Sequence, residues 1–134
     1  MSDIVIVKDL EHGYDGVLVL KKINLVIRVS EIVSVLGPNG SGKTTLLKCI
    51  CKLLKPIGGV IYIDGKEISK LSNKYIARDI GYVPQRHEPT YPFTLLDFVL
   101  MGNAWKQGMF SRPSRRDIEY AKEILRELGI DRYM

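Results

Sequence analysis

Eight consecutive residues, Gly37-Pro38-Asn39-Gly40-Ser41-Gly42-Lys43-Thr44, satisfy the pattern G-x-x-x-x-G-K-[ST], and no other stretch restricts the fold as much. At ordinary residue usage such a match arises by chance in a chain of this length about once in two hundred. The flanks sharpen it. Residues 32–36, Ile-Val-Ser-Val-Leu, read as a short strand buried on both faces. After the glycines, Leu46, Leu47, Ile50, Leu53 and Leu54 fall at helical spacing over residues 43–54, and Pro56 stops the run. Strand, glycine turn, helix is the order that a phosphate-gripping loop requires.

Each residue type in the run has a physical task. Gly37, Gly40 and Gly42 permit positive φ and close backbone approach, so that successive N–H groups face phosphate oxygens. The following helix adds its unsatisfied N-terminal donors and the positive end of its dipole. Lys43 reaches the β- and γ-phosphates, and the Thr44 hydroxyl ligates Mg²⁺. Pro38, Asn39 and Ser41 complete the backbone cradle, and Thr45 is a further candidate for an α-phosphate contact. The expected ligands are a nucleoside triphosphate and Mg²⁺.

Composition agrees with this. Twenty Lys and Arg against 15 Asp and Glu give a net charge of +5. That suits a polyanionic small molecule, yet the long basic run of a nucleic-acid tail is absent and no nucleic-acid partner is expected. Cys49 and Cys51 stand two apart on a helix, where side chains do not face each other, so reduced thiols in a cytosolic protein are expected rather than a disulfide. The start of the chain lacks the pattern of a secretion signal, and no uncharged apolar run approaches the roughly 18 residues of a membrane span. Any membrane role therefore passes through a partner.

The remaining elements read coarsely. Residues 4–7 and 17–27 are Val-, Ile- and Leu-rich strands separated by the turn-formers of residues 12–16, giving an antiparallel β layer. Residues 60–63 form a strand that enters a tight Asp64-Gly65 turn, residues 72–78 a brief helix, and residues 80–83 another short strand before Pro84. Thr94 with Asp97 and Ser114 with Asp117 have capping-box spacing. In the second of these helices Ile118, Ala121, Leu125 and Leu128 share a face, and Gly129 closes it.

With these motifs in place, the sequence resembles the nucleotide-binding domain of ABC transporters over nearly its whole length. The discriminating stretch is Ile80-Gly81-Tyr82-Val83-Pro84-Gln85, similar to the family's Q-loop. By resemblance the nucleotide is ATP, and Gln85 contacts Mg²⁺ and the attacking water and senses the membrane partner. Tyr14 matches the aromatic position on which the family stacks adenine. Residues 93–102 and 110–114 are similar to the helical subdomain of ATPases importing iron-siderophore, haem and cobalamin. The resemblance implies an α/β P-loop NTPase of the ABC ATPase type, with an N-terminal antiparallel β layer and the start of a helical subdomain. Residues 1–85 would form the β layer and P-loop core and residues 86–134 part of the helical subdomain, in a truncated domain. The implied partners are an integral-membrane permease and a second ATP-binding subunit in a head-to-tail dimer, at the inner face of the cell membrane.

Two departures stand out: Ser30 and Lys52 occupy positions where the family commonly has glycine. The family's L-S-G-G-Q signature, the apolar strand ending in Asp then Glu, and the switch histidine do not occur by residue 134. Residues 61–64 are better explained as a hairpin, since Gly65 follows, and His12 and His87 are read as loop residues that replace none of these. The expectation is ATP binding with poor hydrolysis by this chain alone, in a subunit that couples ATP turnover to solute import, a metal chelate above all. Two alternatives stay open, a non-catalytic regulatory partner of a complete ATPase and a soluble ABC NTPase without a permease.

Overall fold

The structure, a computed structural model, describes residues 2–85, 92–102 and 112–133. His87, Phe110 and Ser111 lie outside these residues. The chain gathers into two compact units, Met1–Gly81 and Tyr82–Met134.

The first unit is built on four antiparallel strands, β1 (Asp3–Tyr14), β2 (Val17–Arg28), β3 (Gly58–Ile63) and β4 (Lys66–Glu67), in the order β2-β1-β3-β4. Asp-Gly closes both hairpins. Asp15 and Gly16 have φ of 50° and 79° between paired Tyr14 and Val17, and Asp64 and Gly65 have 48° and 70° between paired Ile63 and Lys66. Two successive residues at positive φ match the right-handed twist of the strands they join. Residues 61–64 therefore run into a hairpin, as expected. The first hairpin is longer than its sequence suggests: β1 continues through His12 to Tyr14, both placed by composition in the turn. His12 is thus a strand residue and not a loop one, because turn-forming residues are a local preference that ladder bonds and burial override.

β1 and β2 share a bulge. Asp9 and Lys22 take φ of 47° and 50°, and Asn24 holds them, accepting from the Asp9 N–H at 3.0 Å and donating to the Lys22 carbonyl at 3.0 Å. Gly59 of β3 lies against the bulge, where a Cβ would stand 2.2 Å from the Asp9 carbonyl oxygen.

Val7, Leu10, Leu20, Ile61 and Ile63 from the sheet form one buried cluster with Leu46, Cys49 and Ile50 of α1 (Lys43–Ile50), Ile68, and Ile76 of α2 (Asn73–Asp79). The Ser72 side chain caps α2, accepting from the Tyr75 N–H at 3.1 Å. α1 ends four residues before the expected Leu54, because Lys52 turns to φ 58°. The Leu53 N–H then donates back to the Lys48 carbonyl at 2.8 Å and the Lys52 N–H to Cys49 at 3.0 Å. This is the helix ending that ordinarily carries glycine at the Lys52 position. Ser30 is its counterpart after β2, at φ 66°. There Glu31 closes the turn, its carboxylate accepting from the Arg28 N–H at 2.8 Å. Both glycine-for-side-chain departures fall in the left-handed region.

Two expected strands do not form. Residues 32–36 and 80–83 pair with no strand among the described residues; Ile32 is 98% and Val83 92% exposed, although Val35 packs on the core. A β-strand is a property of a ladder, and an apolar run without a partner has nowhere to place its backbone groups.

The second unit holds α3 (Leu95–Met101) and α4 (Arg115–Glu127), which pack together. Both expected capping boxes are present, Thr94 with Asp97 and Ser114 with Asp117. Ala121 and Leu125 are buried, and Gly129 at φ 68° ends the helix. Leu128, expected on the same face, is exposed because it is the C-cap, where the helical face no longer continues.

Ser30→Gly relieves an exposed, left-handed serine and is expected to raise unfolding stability by about 1 kcal/mol in a denaturant titration. Gly59→Ala drives a methyl into the β1 backbone at a positive-φ position and is expected to cost roughly 3 kcal/mol or to prevent folding, read by the same titration.

Candidate phosphate-binding site

The loop at residues 37–42 enters α1 through Gly42, whose backbone is left-handed at φ 90° and buried against β2. A Cβ at Gly42 would stand 2.9 Å from Leu20 Cδ2 and 3.0 Å from Val19 Cγ1. Conformation calls for glycine and the close side-chain ends favour it, and together they seat the helix entrance on residues 19–20 of β2. Gly40 is also left-handed, at φ 81°. Gly37 is nearly extended at φ 158°, and a Cβ there would stand 2.8 Å from Ser41 Oγ, the end of an exposed side chain that can turn aside. The Ser41 N–H closes a turn onto the Pro38 carbonyl at 3.3 Å.

Lys43 folds back over this loop. Its ammonium donates to the Gly37 carbonyl at 2.8 Å and to the Pro38 carbonyl at 2.7 Å, so one cation spans from the helix start to the loop start. The first helical bond to the loop runs from the Leu46 N–H to the Gly42 carbonyl at 2.9 Å. The amides of Lys43, Thr44 and Thr45 therefore have no intrahelical acceptor. No acidic side chain sits in this first turn to offset the positive end of the dipole. Free amides, an uncompensated dipole and a lysine at one spot make an anion cradle. Thr44 is exposed at its rim, Asn39 lies exposed on the loop, and Thr45 is buried beneath.

The donor set also tests the metal. Among the described residues no group of three or more His, Cys, Asp or Glu side chains could hold an ion. The Thr44 hydroxyl offers a single neutral oxygen, which fits Mg²⁺ only as an ion that keeps its waters and arrives with phosphate oxygens. Cys49 in α1 and Cys51 at its C-cap are free, and burial pushes both thiols up, which disfavours the reactive thiolate.

The sheet brings a second feature to the loop. His12 of β1 pairs with Leu20, the residue under Gly42, and Tyr14 pairs with Val17 nearer the hairpin tip. Tyr14 is 48% exposed, at the end of the strand and not in the turn, and its ring meets that of His12 edge to face at 5.1 Å between centroids. Tyr14 thus stands two to three strand positions from the floor of the loop. Neither the Val19–Leu20 floor nor the His12 contact announces itself in the sequence, because an apolar strand and a lone histidine carry no signal of what will lie across them. Gln85 is exposed and belongs to the second unit.

Comparison with known proteins gives the same assignment. The ABC transporter family profile matches residues 20–133. An uncharacterized ABC transporter ATP-binding protein of Methanocaldococcus jannaschii is 42% identical over 127 residues, covering 95% of this chain and 49% of that protein. The iron(3+)-hydroxamate import ATP-binding protein of Bacillus subtilis is 33% identical over 126 residues, covering 94% and 47%. A solved dimeric ATP-binding cassette in a post-hydrolysis state, bound to ADP and Pi, is 29% identical with a TM-score of 0.81, covering 97% of this chain and 60% of that one. The chain spans about half the length of the curated relatives it matches. A left-handed glycine loop braced by its own lysine at a helix entrance, on a sheet of this topology and within a match of this extent, makes the chain a member of the ABC transporter family with the P-loop fold of its ATPases.

Proposed function

We propose that this chain is the nucleotide-gripping part of an ABC transporter's ATP-binding subunit, which couples ATP binding and hydrolysis to solute movement across a membrane. The observation that carries this reading is the cradle itself: Gly42 seated on β2, three free amides at the start of α1, and the Lys43 ammonium held over the loop. Phosphate oxygens would take over the Lys43 contacts now made to two carbonyls, exchanging neutral acceptors for anionic ones. Gly37, Pro38, Asn39, Gly40, Ser41, Gly42, Thr44 and Thr45 would line the triphosphate, Tyr14 would stack the base, and Thr44 with Gln85 would meet Mg²⁺. The kinship to an iron(3+)-hydroxamate import protein supports a metal chelate as the solute.

Permease and second ATP-binding subunit follow from the same reading. Among the described residues no helix is long and apolar enough to cross a membrane, so the membrane would be met through a partner at its cytoplasmic face. The dimeric form of the ADP-bound relative supports the paired arrangement. Hydrolysis by this chain alone is expected to be negligible. In-line attack on the γ-phosphate needs a group to orient water and a second set of charges to stabilise the transition state. Its 134 residues hold neither the L-S-G-G-Q signature nor the Asp-Glu strand end.

Titration of a fluorescent ATP analogue with Mg²⁺ is expected to give saturable binding that weakens at least about tenfold in Lys43→Ala, a loss of roughly 1.4 kcal/mol or more. Equal binding by both proteins would remove the cradle from the account. In a phosphate-release assay the unaltered chain and Lys43→Ala should be indistinguishable; turnover abolished by the substitution would show that the chain is catalytically complete.

A further inference from the structure

The strand residue His12 is buried, 8% exposed, and a hydrogen bond holds its ring. Its Nδ1 lies 3.0 Å from the Lys55 carbonyl oxygen. A carbonyl only accepts, so Nδ1 carries the proton and the ring is fixed in rotation as well as in tautomer. The bond ties β1 to the segment after α1, and a neighbouring one from the Ile57 N–H to the Glu11 carbonyl at 2.8 Å makes the tie double. Beyond His12 the chain must pass through Gly13, where a Cβ would stand 2.2 Å from the Val17 carbonyl oxygen. The register shifts at this step. With glycine between them, the rings of His12 and Tyr14 come together at 5.1 Å with their planes 83° apart.

Tyr14 is otherwise a strand-end residue with about half its surface in solvent, free to sample its rotamers. A ring that must stack on a base loses affinity in proportion to the rotamers it has to give up on binding. One edge-to-face neighbour, itself fixed by a hydrogen bond and burial, removes part of that cost in advance while leaving Tyr14 exposed enough to receive a ligand. We propose that His12 is a positioning residue that holds the Tyr14 ring in orientation for the purine of a nucleoside triphosphate whose phosphates lie in the loop seated across from it on β2. This rests on the reading above that Tyr14 stacks the base.

The test compares two ligands that share the phosphate chemistry and differ in the base, ATP and inorganic tripolyphosphate, measured by calorimetry on the 134-residue chain. His12→Leu and His12→Phe both fill the buried space and both lose the bond to Lys55, so the difference between them isolates the aromatic edge. His12→Leu is expected to weaken ATP about fivefold and to leave tripolyphosphate within about twofold, while His12→Phe keeps both near the unaltered values. Equal weakening of both ligands by His12→Leu, no weakening of ATP, or no advantage of His12→Phe over His12→Leu overturns the proposal. Tyr14→Ala separates the two levels of the argument. If it leaves the preference for ATP over tripolyphosphate unchanged, base stacking itself fails; if it abolishes that preference while His12→Leu does not, stacking stands and the role of His12 falls.

Discussion

The contact on which the site depends is the one between the Gly42 backbone and the side chains of Val19 and Leu20. A phosphate loop works only if its amides stay convergent without a ligand to organise them, and convergence needs a floor. Here the floor is Val19 and Leu20 near the start of β2, close enough that a Cβ on Gly42 would press on Leu20 Cδ2 at 2.9 Å. The glycine is left-handed where it passes over that floor, and α1 begins at once, so strand, loop and helix are fixed by a single approach. Lys43 closes the arrangement from the open side with two carbonyl bonds. These are charge-assisted but solvent-exposed, so they order the loop more than they stabilise the fold. The burial of Leu46, Cys49 and Ile50 against the sheet keeps the helix entrance where it is.

The sheet that supplies the floor is held by unusual backbone. Among the described residues six non-glycine positions have positive φ, and they fall at the two hairpin turns, the paired bulge of β1 and β2, and the two chain exits at Ser30 and Lys52. Each is stabilised by something local: the Asp-Gly turns by their twist, the bulge by Asn24, the Ser30 turn by Glu31, and the end of α1 by its paired carbonyl bonds. Lys52 also reaches the Leu71 carbonyl with its ammonium. Beyond the bulge, His12 pairs with Leu20 of the loop's floor, and Tyr14 pairs with Val17 two to three positions away.

The exposed run at residues 32–36 belongs to the same picture. It leads from β2 into the loop, carries apolar side chains on both faces, and has no strand beside it among the described residues. Sequence and structure disagree here in an instructive way. The composition is that of a strand in the middle of a parallel sheet, and the curated relatives are about twice as long as this chain. Local preference alone does not make a strand without a neighbour. The loop nevertheless keeps its form, because its floor is β2 and not the run that precedes it.

Much of the molecule was legible in advance. The phosphate loop, the helix after it, the capping boxes at Thr94 and Ser114 and the Asp64-Gly65 hairpin are written in residues whose backbone demands or short-range bonds act over three or four positions. That Ser30 and Lys52 stand where the family commonly has glycine was legible too; their positive φ came from the structure. What the sequence did not contain is which surfaces would meet: the floor beneath Gly42, the His12 edge against Tyr14, the early end of α1 and the unpaired state of residues 32–36. Those depend on which residues far apart in the chain become neighbours. A glycine can announce that it needs room, but only the folded sheet decides what occupies the other side.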